Sequence, residues 1–182
     1  MTEIAISTYS EQIRKKTFIA TIETDPAYGK YHYDGHRNCS FSCSPEESKR
    51  LNGICPVCKK PLTIGVDNRV EQLANYQKKY KPANAKFFYK VLPLHEILAL
   101  AIGSAIESKA VWSAYNSLIQ EFGNEFEILF DASEEEFARK NVNAKIVDLI
   151  IKNREEKIKV IPGYDGEYGK AVTGEKQATL VD

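Results

Sequence analysis

The chain has 182 residues, enough for one ordinary domain or two small ones and short for an enzyme with separate catalytic and binding lobes. An apolar share of 43% and a charged share of 27% are those of a soluble globular protein. The 25 basic and 25 acidic residues cancel, which argues against a uniformly basic nucleic-acid coat.

The zero sum hides opposed parts. Residues 1–90 carry 15 lysines and arginines against 9 acidic residues, residues 91–140 carry 3 against 9, and residues 141–182 carry 7 against 7. The N-terminal half is therefore where a polyanion would dock, unless the excess is plain solvated surface. The start, MTEIAISTYSEQIRKK, has no apolar signal-peptide region. No stretch approaches the roughly 18 apolar residues of a membrane span, so the chain reads as cytoplasmic with no membrane partner.

In chain order, residues 17–23 (TFIATIE) alternate polar and apolar side chains in a β-branched run and predict a strand. A polar, tyrosine-rich loop follows. Ser44, Pro45 and Glu47 predict a helix start with a capping box, and Gly53 stops that helix early. Residues 61–65 (PLTIG) predict a strand, and Asp67 then caps a helix with Val70, Leu73 and Ala74 on one face. Residues 76–86 hold four lysines and a proline without apolar periodicity and read as a linker. Beyond Pro93 the pattern is helical. LHEILALAIG forms one helix; Ser108 caps a second carrying Val111, Trp112, Tyr115, Leu118, Ile119 and Phe122; Ser133 to Glu136 opens a third through a capping box. Asn143 opens a fourth that buries Ile146, Val147, Ile150 and Ile151. A short strand, KVIP, precedes a glycine and tyrosine loop.

The fold class expected is α+β, a small zinc-ribbon-like module followed by a mainly helical domain. Residues 1–38 are the remnant of a preceding domain, 39–75 the zinc-binding module and 76–92 a linker. Residues 93–182 form the helical C-terminal domain with its Gly/Tyr-rich loop and flexible tail.

The sharpest chemical signal is Cys39-x3-Cys43, followed eleven residues later by Cys55-Pro56-Val57-Cys58. Clustered cysteines in a reducing compartment serve as metal ligands rather than disulfides. Two knuckles joined by a short insert deliver four thiolates to one Zn2+, and backbone amides of the CPxC turn point at the sulfurs. Four thiolates close the coordination sphere, so the metal is structural and no catalytic residue is assigned. The first knuckle is one residue wider than usual, and His36, three before Cys39, is the substitute ligand.

The loop Tyr28-Gly29-Lys30-Tyr31-His32-Tyr33-Asp34-Gly35-His36-Arg37 interleaves aromatic and basic residues. They either stack on bases and grip phosphates, or pack over the zinc module. Gly163-Tyr164-Asp165-Gly166-Glu167-Tyr168-Gly169-Lys170 lacks phosphate-loop spacing and is either a ligand-contact loop or a surface turn. The candidate DNA contacts are Lys30, Tyr31, Tyr33, Arg37, Lys59, Lys60, Arg69, Tyr164 and Tyr168. The segment 118–129 (LIQEFGNEFEIL), a glycine-joined helix pair in acidic surroundings, reads as ordinary helical packing.

Taken together, GKYHYDGHRNC, SPEES, NGICPVCKKPLTIGV, PLHEI, EFGNEFEIL and IKVIPGYDGEYGK resemble the C-terminal half of the endonuclease Q family over roughly residues 17–170, in consistent order. Members join a PHP metallo-phosphoesterase barrel to a zinc module and a helical part and cut DNA 5′ to deaminated or abasic sites. The resemblance implies a DNA-binding, damaged-base-recognising portion of such a repair protein. With three histidines and no His-x-His or Asp-x-His pair, these residues do not assemble the PHP metal cluster. The alternative is a zinc-stabilised interaction module docking on a separate PHP or other repair subunit. In either case the face that met the barrel leaves an apolar patch. Residues 177–182 (QATLVD) resemble the front of a sliding-clamp-binding peptide without its aromatics.

Overall fold

A computed structural model describes residues 6–76 and 80–172. The order is α1 (Ile6–Lys15), β1 (Ala20–Glu23), β2 (Asp34–His36), β3 (Phe41–Cys43), α2 (Pro45–Arg50), α3 (Val66–Leu73) and β4 (Phe87–Lys90). There follow α4 (Leu94–Ile102), α5 (Lys109–Phe122), α6 (Glu134–Arg139), α7 (Ala144–Arg154), β5 (Lys159–Ile161) and β6 (Lys170–Val172). The class is α+β. Among the described residues no helix is long and apolar enough to cross a membrane. Residues 177–182, with the clamp-like sequence, lie outside the described residues.

The helix starts follow their caps. Ser44, Ser108 and Ser133 accept backbone N–H bonds from the third residue beyond, and Glu136 returns a bond to Ser133 to complete its box. Gly103 ends α4 at φ +74°, a left-handed turn that a Cβ would strain. Helices α4, α5 and α7 enclose the main core, in which Leu94, Ile97, Leu98, Val111, Phe137 and Ile150 are buried. Between α5 and α6 the chain makes a π-helical turn, Glu127–Asp131. Arg154 caps it by donating to the carbonyls of Ile128, Leu129 and Ala132 at 2.8–2.9 Å.

Three two-stranded pairings complete the fold. β2 and β3 form a hairpin, β5 and β6 another, and β1 pairs in parallel with β4. β4 lies within the stretch read as a linker, because Phe87, Phe88 and Tyr89 find a partner strand that is remote in sequence. Two local expectations differ. Residues 61–65 make only isolated bridges, Ile54 to Pro61 and Gly35 to Thr63, since the knuckle turns the chain before a ladder can run. α3 is capped by Gly65 with Asp67 in its first turn, and Val66, Val70 and Leu73 face solvent.

Candidate functional site

The β2–β3 hairpin sets up the first half of the site. Its register pairs Asp34 with Cys43 and His36 with Phe41, so these four side chains share one face. Ser40, at φ 48°, closes the single turn Arg37–Cys39 that lifts Cys39 back over the hairpin. The second half is the knuckle 55–58. Lys59, also left-handed at φ 61°, donates its N–H to the Cys55 carbonyl at 2.9 Å and turns the chain back. Burial works to raise the Cys55 thiol pKa, but the backbone N–H groups of Cys58 and Val57, together with the Cys58 and Cys39 thiols, lower it on balance, which suits a metal-binding thiolate.

The ligand atoms of His36, Cys39, Cys55 and Cys58 all lie within 4.8 Å of one another. The Cys58 sulfur stands 3.4 Å from His36 Nδ1. Tetrahedral zinc with ordinary bond lengths spaces its sulfurs by roughly 3.8 Å and sulfur from nitrogen by roughly 3.6 Å, so the four donors fit one zinc ion. Cys43 is not in the set. It is 3% exposed, beside Cys55 and Leu62 in a small apolar cluster. Desolvation, with Glu47 and Asp34 nearby, pushes its thiol pKa up to about 11. The three-residue spacing explains the exchange: β3 carries Cys43 away from Cys39, and its partner strand presents His36 instead.

The hairpin is anchored from behind by Asp34, which is fully buried and accepts from Gly65 N and Asn68 Nδ2, each at 2.6 Å. A Cβ on Gly35 would run into the Tyr164 ring, so that glycine admits the second tyrosine loop against the metal module.

The two tyrosine loops meet. Tyr33 N donates to Gly163 O at 2.9 Å, Gly166 N to Lys30 O at 2.9 Å, and Gly169 N to Tyr28 O at 3.0 Å. Asp165 ties both loops to the zinc module: it accepts from Arg37 N at 2.6 Å and, 102 residues back in the chain, from the Thr63 hydroxyl at 2.7 Å. The Arg37 backbone N–H is the chief cause that holds the Asp165 carboxyl below its usual range. On the surface so formed, Lys30 Nζ lies 5.8 Å from the Tyr31 ring centroid and 5.6 Å from that of Tyr168. A side chain on Gly166 would meet Arg37 Nη1 at 3.3 Å and the Tyr31 hydroxyl at 3.8 Å, which places both above the glycine. Tyr31 is 46% and Tyr168 66% exposed.

The nine candidate DNA contacts therefore divide. Lys30, Tyr31, Arg37 and Tyr168 form one exposed cluster. Tyr33 and Tyr164 are half-buried packing groups, joined by a parallel bridge. Lys59 and Lys60 are exposed at the knuckle, and Arg69 is exposed on α3, bonded to Gln72 at 3.0 Å. Sequence reading missed Asp165 and Thr63 as the clasp, since nothing local marks a pair so distant.

Residues 93–157 match the family described as the MJ0043 C-terminal domain. The chain is 36% identical over 167 residues to uncharacterized protein MJ0043 of Methanocaldococcus jannaschii, covering 88% of this chain and 20% of that protein. It is 28% identical over 170 residues to uncharacterized protein YqxK of Bacillus subtilis, covering 93% of this chain and 39% of that one. Among solved structures it matches the lesion-specific endonuclease PfuEndoQ of Pyrococcus furiosus with a TM-score of 0.78 at 28% identity, over 98% of this chain and 45% of that one. A complex of endonuclease Q with a 27-mer duplex carrying an abasic lesion at the active site matches with a TM-score of 0.77 at 28% identity, over 96% and 44%. The resemblance to the endonuclease Q family thus holds in both sequence and fold. The chain spans less than half the length of each of these relatives.

Proposed function

We propose that this chain is the DNA-contacting, damaged-base-recognising portion of an endonuclease Q-like repair protein, stapled by one structural zinc on His36, Cys39, Cys55 and Cys58. The observation that carries the reading is the convergence of two tyrosine loops beside the metal module, with Lys30 between two exposed rings and Arg37 alongside. Lys30 and Arg37 hold backbone phosphates. Tyr31 and Tyr168 offer faces on which an unstacked or flipped base lies. Four protein donors close a tetrahedron, so the zinc supplies folding energy rather than an activated water, and strand cleavage is assigned to none of these residues.

Fluorescence anisotropy with duplexes carrying uracil, hypoxanthine or an abasic site tests the reading. Damaged duplexes bind more tightly than undamaged ones, and Tyr31→Ala or Tyr168→Ala each weakens binding by about ten- to a hundredfold, the usual worth of one stacked base. Equal affinity for damaged and undamaged DNA overturns lesion recognition by this chain.

The β1–β4 ribbon supports a second function, docking of a PHP-domain or other repair subunit. Ile22, Phe87 and Tyr89 share one face of it with Phe126 and Phe130 beyond, and Phe87 and Phe126 are about three-fifths exposed, at 61% and 59%. Parallel strands are ordinarily covered on both faces. Ile22→Asp then abolishes co-elution with a PHP-domain protein in gel filtration while leaving DNA affinity unchanged. Co-elution unaffected by the aspartate rejects this face as the dock.

A further inference from the structure

The last 42 residues are electrically balanced in sequence, yet the fold sorts their charges. Lys145, Asp148, Leu149 and Lys152 recur at three- and four-residue steps and so share one face of α7. With Lys157, Ile158, Lys159 and Val172 they line a cavity of about 300 Å3 in which four lysines stand against one aspartate. The β5–β6 register pairs Lys159 with Val172 and Ile161 with Lys170, which puts both lysines on one face of the ribbon. The opposite face carries Val160 and Ala171, and Ala171 packs on the main core, so the lysine face is the outer one.

We propose that the outer face of β5–β6 and the adjoining face of α7 form a second contact for DNA backbone phosphates, extending the duplex track from the tyrosine loops across the helical half of the molecule. The inference rests on the DNA-contacting reading above. Lys170 lies two residues beyond Tyr168, so the ribbon leads directly out of the tyrosine cluster. From Lys145 to Lys152 the helix rises about 10 Å. Along one strand of a duplex that length carries about three phosphates.

The carboxylates near this face are loosely engaged, and Glu96 and Glu107, which share the lining of a neighbouring cavity with Lys170, make no ion pair with it. Asp148 pairs with Lys152 and Glu155 with Lys157, each at 2.8 Å, and all four side chains are between 47% and 64% exposed. Such exposed surface pairs contribute little and leave the ammonium groups able to turn to phosphate. Lys159 and Lys170 have no ion-pair partner among the described residues. The nearby Glu156 lies toward Lys90, at 3.9 Å. The acidic residues of the preceding loop are also spoken for in part, since Asp165 is turned onto Arg37 N and Thr63. Lys145 donates to the Ala101 carbonyl at 2.6 Å and is left out of the test below because that bond joins α7 to α4.

The test measures affinity of the full chain for one damaged duplex by anisotropy over a series of salt concentrations. It compares wild type, the triple variant K152Q/K159Q/K170Q and the loop variant K30Q/R37Q, with circular dichroism and zinc content confirming that each is folded. The triple variant is expected to lower the slope of log affinity against log salt by about 2–3, one unit per lost phosphate contact, and to weaken binding at least tenfold at moderate salt. A triple variant with the wild-type slope, alongside a loop variant whose slope falls, overturns the second contact and leaves the tyrosine-loop reading standing. Absence of salt-dependent DNA binding by wild type overturns both. Capture of wild type by phosphatidylserine vesicles, without binding to DNA, assigns the lysines to an anionic surface of another kind and also overturns the proposal.

Discussion

Cys43 and His36 exchange places across one hairpin, where Cys43 pairs with Asp34, two residues from His36 on the same face. Both were within reach of the metal by sequence spacing, but it is His36 whose ligand atom lies within 4.8 Å of those of Cys39, Cys55 and Cys58. Cys43→Ala is therefore expected to retain about one zinc per chain, while Cys55→Ser and His36→Ala retain well under one, read by metal analysis of protein kept reduced. Cys43→Ala removes little buried volume and is expected to cost at most about 1–2 kcal/mol of stability. Loss of zinc from Cys43→Ala with retention in His36→Ala would restore the four-thiolate site. Cys39, Cys55 and Cys58 were legible because a CPxC turn brings two thiolates to one metal ion and Cys39 lies close before it in the chain. The choice between Cys43 and His36 as the fourth was not, because hairpin register is a pairing between strands rather than a property of either.

At the scale of elements, two polar side chains do work that apolar patterning does not announce. Asn153, 3% exposed on α7, accepts from Leu92 N at 2.8 Å and donates to Leu92 O at 3.1 Å, fixing the segment between β4 and α4. Asn153→Ala leaves a buried N–H and carbonyl unpaired, and a loss of about 2–4 kcal/mol in urea unfolding is expected. Asp25 caps Ala27 N at 2.9 Å and reaches Lys90 of β4 at 3.1 Å. Burial works to raise its pKa, but the Ala27 bond and Lys90 together lower it below 3.8. A lowered carboxyl contributes stability above its unfolded pKa, near 4, which is lost as pH falls through the lower folded value. Asp25→Asn should accordingly cost stability at pH 7 and lose its effect as pH falls below the lowered folded value in thermal melts. The helices of the C-terminal part were legible nearly to the residue, because serine caps, glycine stops and apolar steps of three and four are local signals. β1 and β4 were harder, since a parallel pair needs two segments some 67 residues apart and only the first was recognised as a strand.

Taken as a whole, the molecule rests on two cores of unequal strength. The helical core buries residues of α4, α5, α6 and α7, whereas the buried cluster of the metal module is Cys43, Cys55 and Leu62. Removing zinc with a chelator is expected to melt the module around residues 34–65 while most far-UV helical signal persists, giving two thermal transitions where the metal-bound protein shows one. The tyrosine cluster should separate in the same step, because Asp165 loses its hold on Arg37 N and Thr63, and DNA affinity should fall with it.

By itself the sequence determined the α+β class, the capped helices, the knuckle cysteines and a family resemblance, all carried by motifs of a few consecutive residues. Only the tertiary structure decided that His36 rather than Cys43 gathers with Cys39, Cys55 and Cys58, that two tyrosine loops far apart in the chain form one surface, and that a balanced C-terminal stretch presents its lysines on one face. The reason is physical: ligand geometry, loop convergence and surface charge are distances between segments. Short hydrogen bonds through Asp34, Gly163 and Asp165 set those distances, and their partners lie up to 136 residues apart.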